Sequence, residues 1–468
     1  MKILFAASEA SPYYKTGGLG DVARALPREL KRKGHDVRLI LPAYGTIVRH
    51  EIDLKHEADD MIPWPGAPVP VRFLFHPAKN AAPAVLVEQA DFFVPGHPYF
   101  AWDGDPLATG RRFALFCRAV VRYAALWGAD VIHLNDWQTG LVPLFGLLDR
   151  LEAATVFSIH NLAYQGTFTP DLMAQVGIPR DLFRIENGVE FHGQVSFMKA
   201  ALALSDRLTT VSPTYAREIQ TFAFGAGFDG LLHFRRRELH GILNGVDTDA
   251  WLPSQDSHIP VRYSAGNMKP KEMNRLALLE ETGLDDGGPV IAMVSRLAHQ
   301  KGIDLVLGAL PALIDEGARI VVLGDGDAAY ERALTRAAAA ARGRVALSFR
   351  YDDSLARRIY AGSDFLLMPS LYEPCGLSQM IAQRYGTPPI VRRTGGLADT
   401  VEDGKTGFAF TEPTVSAMLD ACQRAQRVWR GRGWMALRRR CMRTDRSWSR
   451  SAELYERVYQ CALGRLAG

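Results

Sequence analysis

The sequence has few cysteines, no long apolar run and almost no net charge. Its five cysteines include no C-x-x-C pair, and none stands at metal-ligand spacing from a histidine, which argues against a disulfide scaffold and a zinc site. No stretch approaches 18 apolar residues, the length needed to span a membrane, so no membrane partner is expected. The 55 lysines and arginines exceed the 51 aspartates and glutamates by four, so charge gives no argument for a nucleic acid partner.

The N-terminal segment also lacks the features of a signal peptide. The opening residues, MKILFAASEA, contain one lysine and a short apolar run that stops at Ser8 and Glu9. A signal peptide has a longer apolar region followed by a small-residue cleavage site. We therefore expect a cytoplasmic protein with reduced cysteines.

Apolar side chains are abundant, and their pattern predicts the fold class. Hydrophobic residues make up 47% of the chain, which excludes disorder as the main state. A length of 468 residues exceeds what one hydrophobic core accommodates. Short β-branched runs alternate with amphipathic stretches of helical length, and the alternation restarts after residue 285. This pattern predicts an α/β protein with two Rossmann-like, doubly wound domains facing a central cleft.

The predicted first domain covers residues 1–243, the second covers 244–446, and a final helix occupies 447–468. In the first domain, strands are predicted at 2–7, 37–41, 131–134, 155–159 and 208–211, and helices at 21–33, 111–127 and 138–148. In the second, strands are predicted at 290–294, 319–323, 345–349, 365–368 and 389–391, and helices at 303–316, 328–342, 355–361 and 377–385.

A glycine-rich segment, K-T-G-G-L-G-D at residues 15–21, leads into the first predicted helix. Glycine N–H groups and a helix N-terminus attract anions, and Lys15 adds a full positive charge, so we expect an anion site. The alternative is a surface turn capped by Asp21. A dinucleotide-binding fingerprint is disfavoured, because about ten residues separate strand and glycines and because Asp36 begins the second strand rather than ending it.

Polar clusters follow two predicted strands of the first domain, H-L-N-D-W at residues 133–137 and S-I-H-N at 158–161. The carboxyl ends of parallel strands are where such folds bind ligands. Asp136 and His160 are therefore candidate site residues, although each alone could equally serve as a helix cap or turn residue.

In the second domain, S-R-L-A-H-Q-K-G at residues 295–302 follows a strand and opens a helix. Arg296 and Lys301 would repel each other in an empty site, whereas a diphosphate between them and the helix end would satisfy all three positive elements. The alternative is two solvated cations on a loop.

The segment E-P-C-G-L-S at residues 373–378 also joins a strand to a helix. Glu373 could accept hydrogen bonds from sugar hydroxyls, or it could simply favour the helix dipole. Cys375 lies at the helix start, where the pKa of a thiol tends to fall, but a nucleophilic role would require a nearby histidine that the sequence does not reveal.

Two further patterns favour no ligand. D-x-D triplets occur at residues 103–105, 247–249 and 325–327, and we interpret them as turns or caps rather than metal sites. The arginine-rich stretch at 430–443 is interpreted as a solvated helix face.

Together these segments resemble the bacterial glycogen synthase and plant starch synthase family of GT-B glycosyltransferases. The resemblance is carried by K-T-G-G-L at 15–19, H-L-N-D-W at 133–137, H-N-L-A-Y-Q-G at 160–166, N-G-V-D at 244–247, S-R-L-A-H-Q-K-G at 295–302, E-P-C-G at 373–376 and R-R-T-G-G-L-A-D-T-V at 392–401. It extends from residue 1 to about residue 460 in the expected order.

The resemblance implies transfer of glucose from ADP-glucose to the non-reducing end of an α-1,4-glucan such as glycogen, with retention at the anomeric carbon. No metal or other cofactor is expected. The donor is expected mainly on the second domain and the glucan along the first, with the final helix crossing back to the first domain. The oligomeric state is left open.

Residue-by-residue matching also implies roles for individual side chains. Arg296 and Lys301 would hold the diphosphate, Glu373 would bind glucose hydroxyls, and Tyr351 would stack on adenine. The implied catalytic residues are His160, Asp136, Arg296, Lys301 and Glu373. The implied substrate contacts are Lys15, Gly17, Gly18, Asp21, Asn244, Tyr351, Cys375, Gly376, Leu377 and Ser378.

Two alternatives share most of these features. One is a related α-glucan synthase that uses UDP-glucose, because the shape of the base pocket is not visible in a sequence. The other is a catalytically silent glucan-binding protein, which the intact set of charged motifs disfavours. The chain departs from the family at residues 108–110, where it has Ala-Thr-Gly and the family more commonly has Asp-Asn. The resemblance places this region beside the glucan, so the details of the acceptor site stay open.

Overall fold

The structure is a computed structural model that describes residues 1–45, 47, 52–79, 81–94, 97–99, 104–350 and 352–464. The chain forms two compact units. Unit 1 is Met1–Asn244 together with Trp448–Gly468, and unit 2 is Gly245–Ser447. The divisions thus fall one residue beyond the predicted 243/244 and 446/447.

Unit 1 contains twelve strands within the described residues. They are β1 Lys2–Ala6, β2 Asp36–Pro42, β3 Lys55–Ile62, β4 Val69–His76, β5 Ala84–Glu88, β6 Val131–Asn135, β7 Ala154–Ile159, β8 Thr167–Phe168, β9 Glu190–Phe191, β10 Gln194–Ser196, β11 Arg207–Thr210 and β12 Leu239–Gly241. Nine of them form one sheet in the order β12-β11-β7-β6-β1-β2-β5-β4-β3, and β8, β10 and β9 form a small antiparallel sheet.

The large sheet of unit 1 is parallel from β12 to β5, and antiparallel only where β4 and β3 extend it. From β1 the chain proceeds to β2 on one side, whereas from β6 it proceeds to β7 on the other. The boundary between β1 and β6 is therefore a topological switch point, the usual ligand position in an open α/β sheet.

The helices of unit 1 cover this sheet. They are α1 Gly18–Arg32, α2 Ala90–Phe93, α3 Ala108–Trp127, α4 Val142–Leu148, α5 Leu172–Val176, α6 Phe197–Leu204, α7 Pro213–Glu218 and α8 Asp229–Phe234. In α1 the helical spacing of Val22, Leu26 and Leu30 forms one apolar face, and all three side chains are buried, as predicted.

Unit 2 has one six-stranded parallel sheet. Its strands are β13 Val290–Val294, β14 Arg319–Leu323, β15 Val345–Ser348, β16 Phe365–Met368, β17 Pro389–Arg392 and β18 Phe408–Phe410. Its helices are α9 Pro270–Thr282, α10 Ile303–Asp315, α11 Ala328–Ala340, α12 Asp353–Gly362, α13 Ser378–Arg384, α14 Gly395–Thr400, α15 Val415–Trp429 and α16 Trp434–Arg443.

The strand order in unit 2, β15-β14-β13-β16-β17-β18, places a second switch point between β13 and β16. The core beneath it is apolar, with Ile291 from β13, Phe365 from β16 and Met418 from α15 all buried. Such a core fixes the strand ends from which the loops of the candidate site emerge.

The last helix, α17 Trp448–Ala462, packs on α1 and β7 of unit 1. The Tyr459 hydroxyl lies 2.7 Å from Nδ1 of the buried His133, and Glu456 pairs with His35 at 2.7 Å. The C-terminal helix therefore belongs to the same compact unit as the first strand.

Candidate functional site

Acidic and imidazole side chains gather at the switch point of unit 1. Glu9 follows β1, Asp136 follows β6 and His160 follows β7. These three strands are consecutive in the sheet, in the order β7-β6-β1. The two polar clusters found in the sequence therefore lie at one edge, as the parallel alternation predicts.

Glu9, which sequence reasoning did not single out, holds the glycine-rich loop. Its buried carboxylate accepts hydrogen bonds from the N–H groups of Thr16 (2.8 Å), Gly17 (3.2 Å) and Gly20 (3.1 Å). The Thr16 hydroxyl donates to the same group at 2.6 Å. The loop thus presents backbone donors to an anion, and in this structure that anion is a side chain of the chain itself. The only sequence signal for Glu9 is a single acid between the first strand and the glycines, which matches no motif.

Lys15 lies across the start of α1 and pairs with Asp21. Its Nζ is 2.7 Å from Asp21 Oδ1, and the two side chains are 39% and 41% exposed. Helix α1 begins at Gly18 with Gly17 as its N-cap, and Asp21 lies in the first turn of the helix. A Cβ at Gly20 would come within 2.8 Å of the Lys15 side chain, so glycine there leaves room for the lysine.

Two further residues that sequence reasoning missed support Glu9. The Tyr99 hydroxyl donates to the Glu9 carboxylate at 3.2 Å. The guanidinium of the fully buried Arg112 donates to the carbonyls of His97 (2.9 Å) and Pro98 (2.8 Å), which fixes the chain just before Tyr99. Neither residue was predicted as a site residue, because the contact between Tyr99 and Glu9 joins residues 90 positions apart and no local pattern reports it.

His160 is held at both its backbone and its ring. Its N–H donates to Asp136 Oδ1 at 2.7 Å, and the N–H of Asn161 reaches the same oxygen at 3.4 Å. The ring Nε2 lies 2.8 Å from Oδ1 of Asn135. Asp136 has φ 56°, a conformation that residues with a side chain rarely adopt and that is found at functional sites.

The surroundings shift the pKa of both residues. Burial raises the pKa of Asp136 to about 7; the N–H groups of His160 and Asn161 oppose this rise, and the negative charge of Glu9 adds to it. Burial lowers the pKa of His160 to about 4. At neutral pH His160 is therefore uncharged, while Asp136 changes its charge near physiological pH.

The switch point of unit 2 carries the second cluster. Arg296 follows β13 and is exposed, with no ion pair to any residue that the structure describes. The segment continues through a short 3-10 helix, His299–Lys301, into α10, as predicted. Gly302 has φ 70°, and a Cβ there would lie 2.3 Å from the carbonyl oxygen of Pro369. A glycine is required for this segment to approach the loop after β16.

Lys301 and Glu373 form an ion pair in unit 2. Lys301 Nζ is 2.7 Å from Glu373 Oε2, and the side chains are 15% and 8% exposed. The Ser370 hydroxyl donates to the same oxygen at 3.0 Å. The sequence assigned Lys301 to a diphosphate and Glu373 to sugar hydroxyls, and the structure brings these two predicted residues together. Ser370 was not foreseen.

The loop from Glu373 to Gly376 rests on the N-terminus of α14. The N–H of Gly396 donates to the Glu373 carbonyl at 3.0 Å. A Cβ at Gly395 would lie 1.9 Å from that same carbonyl oxygen, and one at Gly396 would lie 2.2 Å from the carbonyl oxygen of Cys375. The glycines of the R-R-T-G-G-L segment therefore allow the close approach that fixes the Glu373 backbone.

The remaining residues predicted to contact substrate differ in their burial and in their place in the fold. Cys375 is buried, Leu377 is the N-cap of α13, and Ser378 is its first residue, with its hydroxyl 3.5 Å from the Val294 carbonyl. Asn244 is the last residue of the first segment of unit 1, and its buried Oδ1 has no hydrogen-bond partner among the described residues. The predicted adenine-stacking residue, Tyr351, lies outside the described residues.

Aspartates of the D-x-D triplets at 247–249 and 325–327 form a turn and a helix cap, in agreement with the sequence analysis. Asp247 accepts from the N–H groups of Asp249 (3.1 Å) and Ala250 (3.2 Å), and Asp327 caps α11 by accepting from Ala329 N–H at 2.7 Å. Asp103 lies outside the described residues. Within the described ranges, no group of three or more His, Cys, Asp or Glu side chains is placed to hold a metal ion.

The arginine-rich stretch is mostly the solvated face that was predicted. Arg430, Arg432, Arg439, Arg440 and Arg443 are exposed. Arg438 is the exception, because it is buried against the Trp434 ring and donates to the Gly386 carbonyl at 3.2 Å.

Comparison with known proteins agrees with the geometry. Residues 2–234 match the family described as starch synthase catalytic domain, and residues 274–428 match glycosyl transferases group 1. The chain is 46% identical to a glycogen synthase of Anaeromyxobacter dehalogenans, covering 98% of this chain and 99% of that protein. It is 43% identical to glycogen synthase 2 of Geobacter sulfurreducens, covering 99% of each.

Solved structures show the same similarity. The catalytic domain of starch synthase IV from Arabidopsis thaliana, bound to ADP and acarbose, superposes with a TM-score of 0.90 at 32% identity over 99% of both chains. A sucrose-phosphate synthase from Thermosynechococcus elongatus, at 18% identity and TM-score 0.62, shares the fold. Each unit is thus a Rossmann-like domain of the GT-B class. None of the helices in the described ranges is both long and apolar enough to cross a membrane.

Proposed function

This chain belongs to the bacterial glycogen synthase and plant starch synthase family of glycosyltransferases, and we propose that it builds glycogen from ADP-glucose in the cytoplasm. Glucose would be added to the non-reducing end of an α-1,4-glucan with retention at the anomeric carbon. The observation that carries the proposal is the ion pair between the partly buried Lys301 and the buried Glu373 at the switch point of unit 2, which supplies a cation for phosphate and a carboxylate for sugar in direct contact.

The pair has a defined role in this proposal. A donor diphosphate carries more negative charge than one carboxylate, so it attracts the Lys301 ammonium away from Glu373. The released carboxylate then accepts hydrogen bonds from glucose hydroxyls. Arg296, exposed on the same strand-end segment, adds the second cation to the diphosphate, and both cations stabilise the charge that develops on the leaving ADP.

In unit 1, we assign sugar-facing roles to His160 and Asp136. The uncharged His160 ring presents a hydrogen-bonding atom without adding positive charge, and the ionised Asp136 accepts from a hydroxyl. Lys15 and the glycine loop would contribute further positive potential for the nucleotide. The support for these assignments is the fixed backbone and ring of His160 and the held conformation of the loop.

The test is nucleotide release with a glycogen primer, with ADP-glucose and UDP-glucose compared side by side. Fast ADP release with incorporation of glucose into glycogen is expected. Preference for UDP-glucose would keep the reaction class and refute the proposed donor. Release from neither donor, in a folded protein that still binds glycogen, would favour the silent glucan-binding alternative.

The shifted pKa of Asp136 predicts a pH dependence. The carboxyl is protonated below about 7 and ionised above it, and only the ionised form offers two acceptor oxygens. We therefore expect kcat/KM to rise with pH through about 7, and Asp136→Asn to abolish this inflection while lowering the plateau. A pH–rate series on both proteins measures it. An inflection that persists in Asp136→Asn would assign the titration to another group.

We also propose that no metal or other cofactor takes part, because Arg296 and Lys301 offer the positive charge that the diphosphate needs. ADP release is expected to continue at an unchanged rate after exhaustive treatment with EDTA. A loss of rate that Mg²⁺ restores would contradict this proposal and direct attention to the carboxylates of residues 325–327.

A further inference from the structure

The ring of His160 is held by a residue that the proposed reaction does not use. Asn135 is the last residue of β6 and is fully buried. Its side chain has two partners at good hydrogen-bonding distance. Nδ2 lies 2.9 Å from the carbonyl oxygen of Ala6, and Oδ1 lies 2.8 Å from Nε2 of His160.

These two contacts determine where the His160 proton lies. A backbone carbonyl only accepts hydrogen bonds, so the amide atom that faces Ala6 must be the NH₂ group. The atom that faces His160 is then the amide oxygen, which also only accepts. Nε2 must therefore carry the proton, and in a neutral ring Nδ1 is left with a lone pair.

The ring is neutral under working conditions. Burial lowers the pKa of His160 to about 4, and the charged or titratable neighbours at this edge are Asp136, Glu9 and His133. Asp136 already binds the His160 backbone N–H. The consecutive residues Asn135 and Asp136 thus fix the ring and the backbone of the same histidine from the end of one strand.

We propose that Asn135 is a positioning residue that holds His160 in the Nε2-protonated tautomer, so that Nδ1 accepts a hydrogen bond from a sugar hydroxyl. The tautomer assignment stands on the contacts alone. Only the identity of the group that donates to Nδ1 rests on the proposed function. In the opposite tautomer Nδ1 would carry the proton. It would then donate a hydrogen bond to an acceptor and could not accept one from a hydroxyl.

The tautomer can be read directly from two-bond ¹H–¹⁵N spectra of the full-length protein labelled at its histidine rings. The His160 signal is assigned by its loss in His160→Gln. We expect the Nε2–H pattern for the wild type, and a mixture or the Nδ1–H pattern for Asn135→Leu, which removes the acceptor at similar volume. An Nδ1–H pattern in the wild type would overturn the tautomer assignment, and an unchanged Nε2–H pattern in Asn135→Leu would overturn the positioning role of Asn135.

Two variants separate this role from a general loss of packing. Ser158→Ala removes an equally buried polar contact, the 2.6 Å bond to His133 Nε2, and leaves the Asn135–His160 bond intact. It should leave the His160 pattern unchanged. Asn135→Asp, when protonated, reproduces both bonds and should restore the Nε2–H pattern. Failure of this rescue in folded protein would argue against the proposal.

The hydroxyl contact has its own readout. Adding ADP and maltotriose should shift the Nδ1 resonance of the wild type in the direction of an accepted hydrogen bond, and Asn135→Leu should lower kcat about tenfold, the effect of one net hydrogen bond. No Nδ1 shift with bound sugar would refute the contact. An inactive wild type that retains the Nε2–H pattern would refute the proposed function and leave the tautomer assignment standing.

Discussion

Lys301→Ala is expected to lower turnover about 10²–10³-fold, because it removes one cation from the place where charge develops on the leaving nucleotide. The same change leaves the Glu373 carboxylate, 8% exposed, without its 2.7 Å partner. Breaking a buried pair by removing one member costs about 3–5 kcal/mol. We therefore expect a lower free energy of unfolding as well, measured by urea titration beside the kinetic assay.

A second substitution separates the chemical effect from the structural one. In Lys301→Ala/Glu373→Ala the uncompensated charge is gone, so stability should recover in part while turnover stays low. Arg296→Ala should lower turnover to a similar extent with little loss of stability, because Arg296 is exposed and outside any ion pair with the described residues. Recovery of turnover in the double variant would contradict the diphosphate role of Lys301.

The matched control is Lys405→Ala in the same unit. Lys405 pairs with Glu402 at 3.3 Å, but the side chains are 67% and 65% exposed. Exposed pairs contribute about 0–1 kcal/mol, so turnover and stability should both stay close to wild type. Near-wild-type turnover of Lys301→Ala itself would remove Lys301 from the proposed mechanism.

Most of the parallel core of each unit was predictable because its strands are short, apolar and locally consistent, but β5, β12 and β18 were not predicted. The bounds of β13, β14 and β16 are those predicted, and the alternation with helices predicted that the sheets are mostly parallel. β3 and β4 were missed for a physical reason. In β3 only Ile62 is buried, and β4 contains Pro70 and Arg72 on its exposed positions, so neither shows the apolar run on which the prediction depended.

The site was predictable as a set of segments and not as a set of contacts. Motifs placed Asp136, His160, Lys301 and Glu373 at strand ends, which the fold then brings to the switch points. Which side chains contact each other depends on the tertiary structure, which the local sequence does not report. Lys301 and Glu373 are 72 residues apart, and no local pattern reports that they pair at 2.7 Å. Glu9 was missed because a single acid after a strand has no motif.

Glu9→Gln is expected to disturb the glycine-rich loop more than its small size suggests. The carboxylate accepts from the N–H groups of Thr16, Gly17 and Gly20 and from the hydroxyls of Thr16 and Tyr99. A glutamine has one acceptor oxygen and one NH₂ group. If the glutamine NH₂ group pointed towards Thr16 and Tyr99, it could donate to their hydroxyl oxygens. The same NH₂ group would then lie against the Thr16 N–H, so two donors would face each other.

That mismatch leaves a buried donor without an acceptor, which costs about 1–3 kcal/mol, and it also removes the charge that strengthens the other bonds. We expect unit 1 to lose stability by that amount and the segment at residues 15–20 to exchange its amide hydrogens faster. Because Lys15 and the loop would no longer be held in place, kcat/KM for ADP-glucose should fall at least tenfold. Urea unfolding, amide exchange and kinetics measure the three effects.

Glu29→Gln is the matched control, since Glu29 lies on α1 and, among the described residues, its carboxylate has a single ion pair, a 3.6 Å contact with the exposed Arg32. It should leave loop exchange and kcat/KM unchanged. Glu9→Asp tests the geometry instead of the charge, because it keeps a carboxylate but withdraws it by one methylene, and it should fall between wild type and Glu9→Gln. If Glu9→Gln had wild-type loop exchange and kcat/KM, the hydrogen bonds to Glu9 would not be what holds the loop, and a donor phosphate would be free to take the same N–H groups without displacing a side chain.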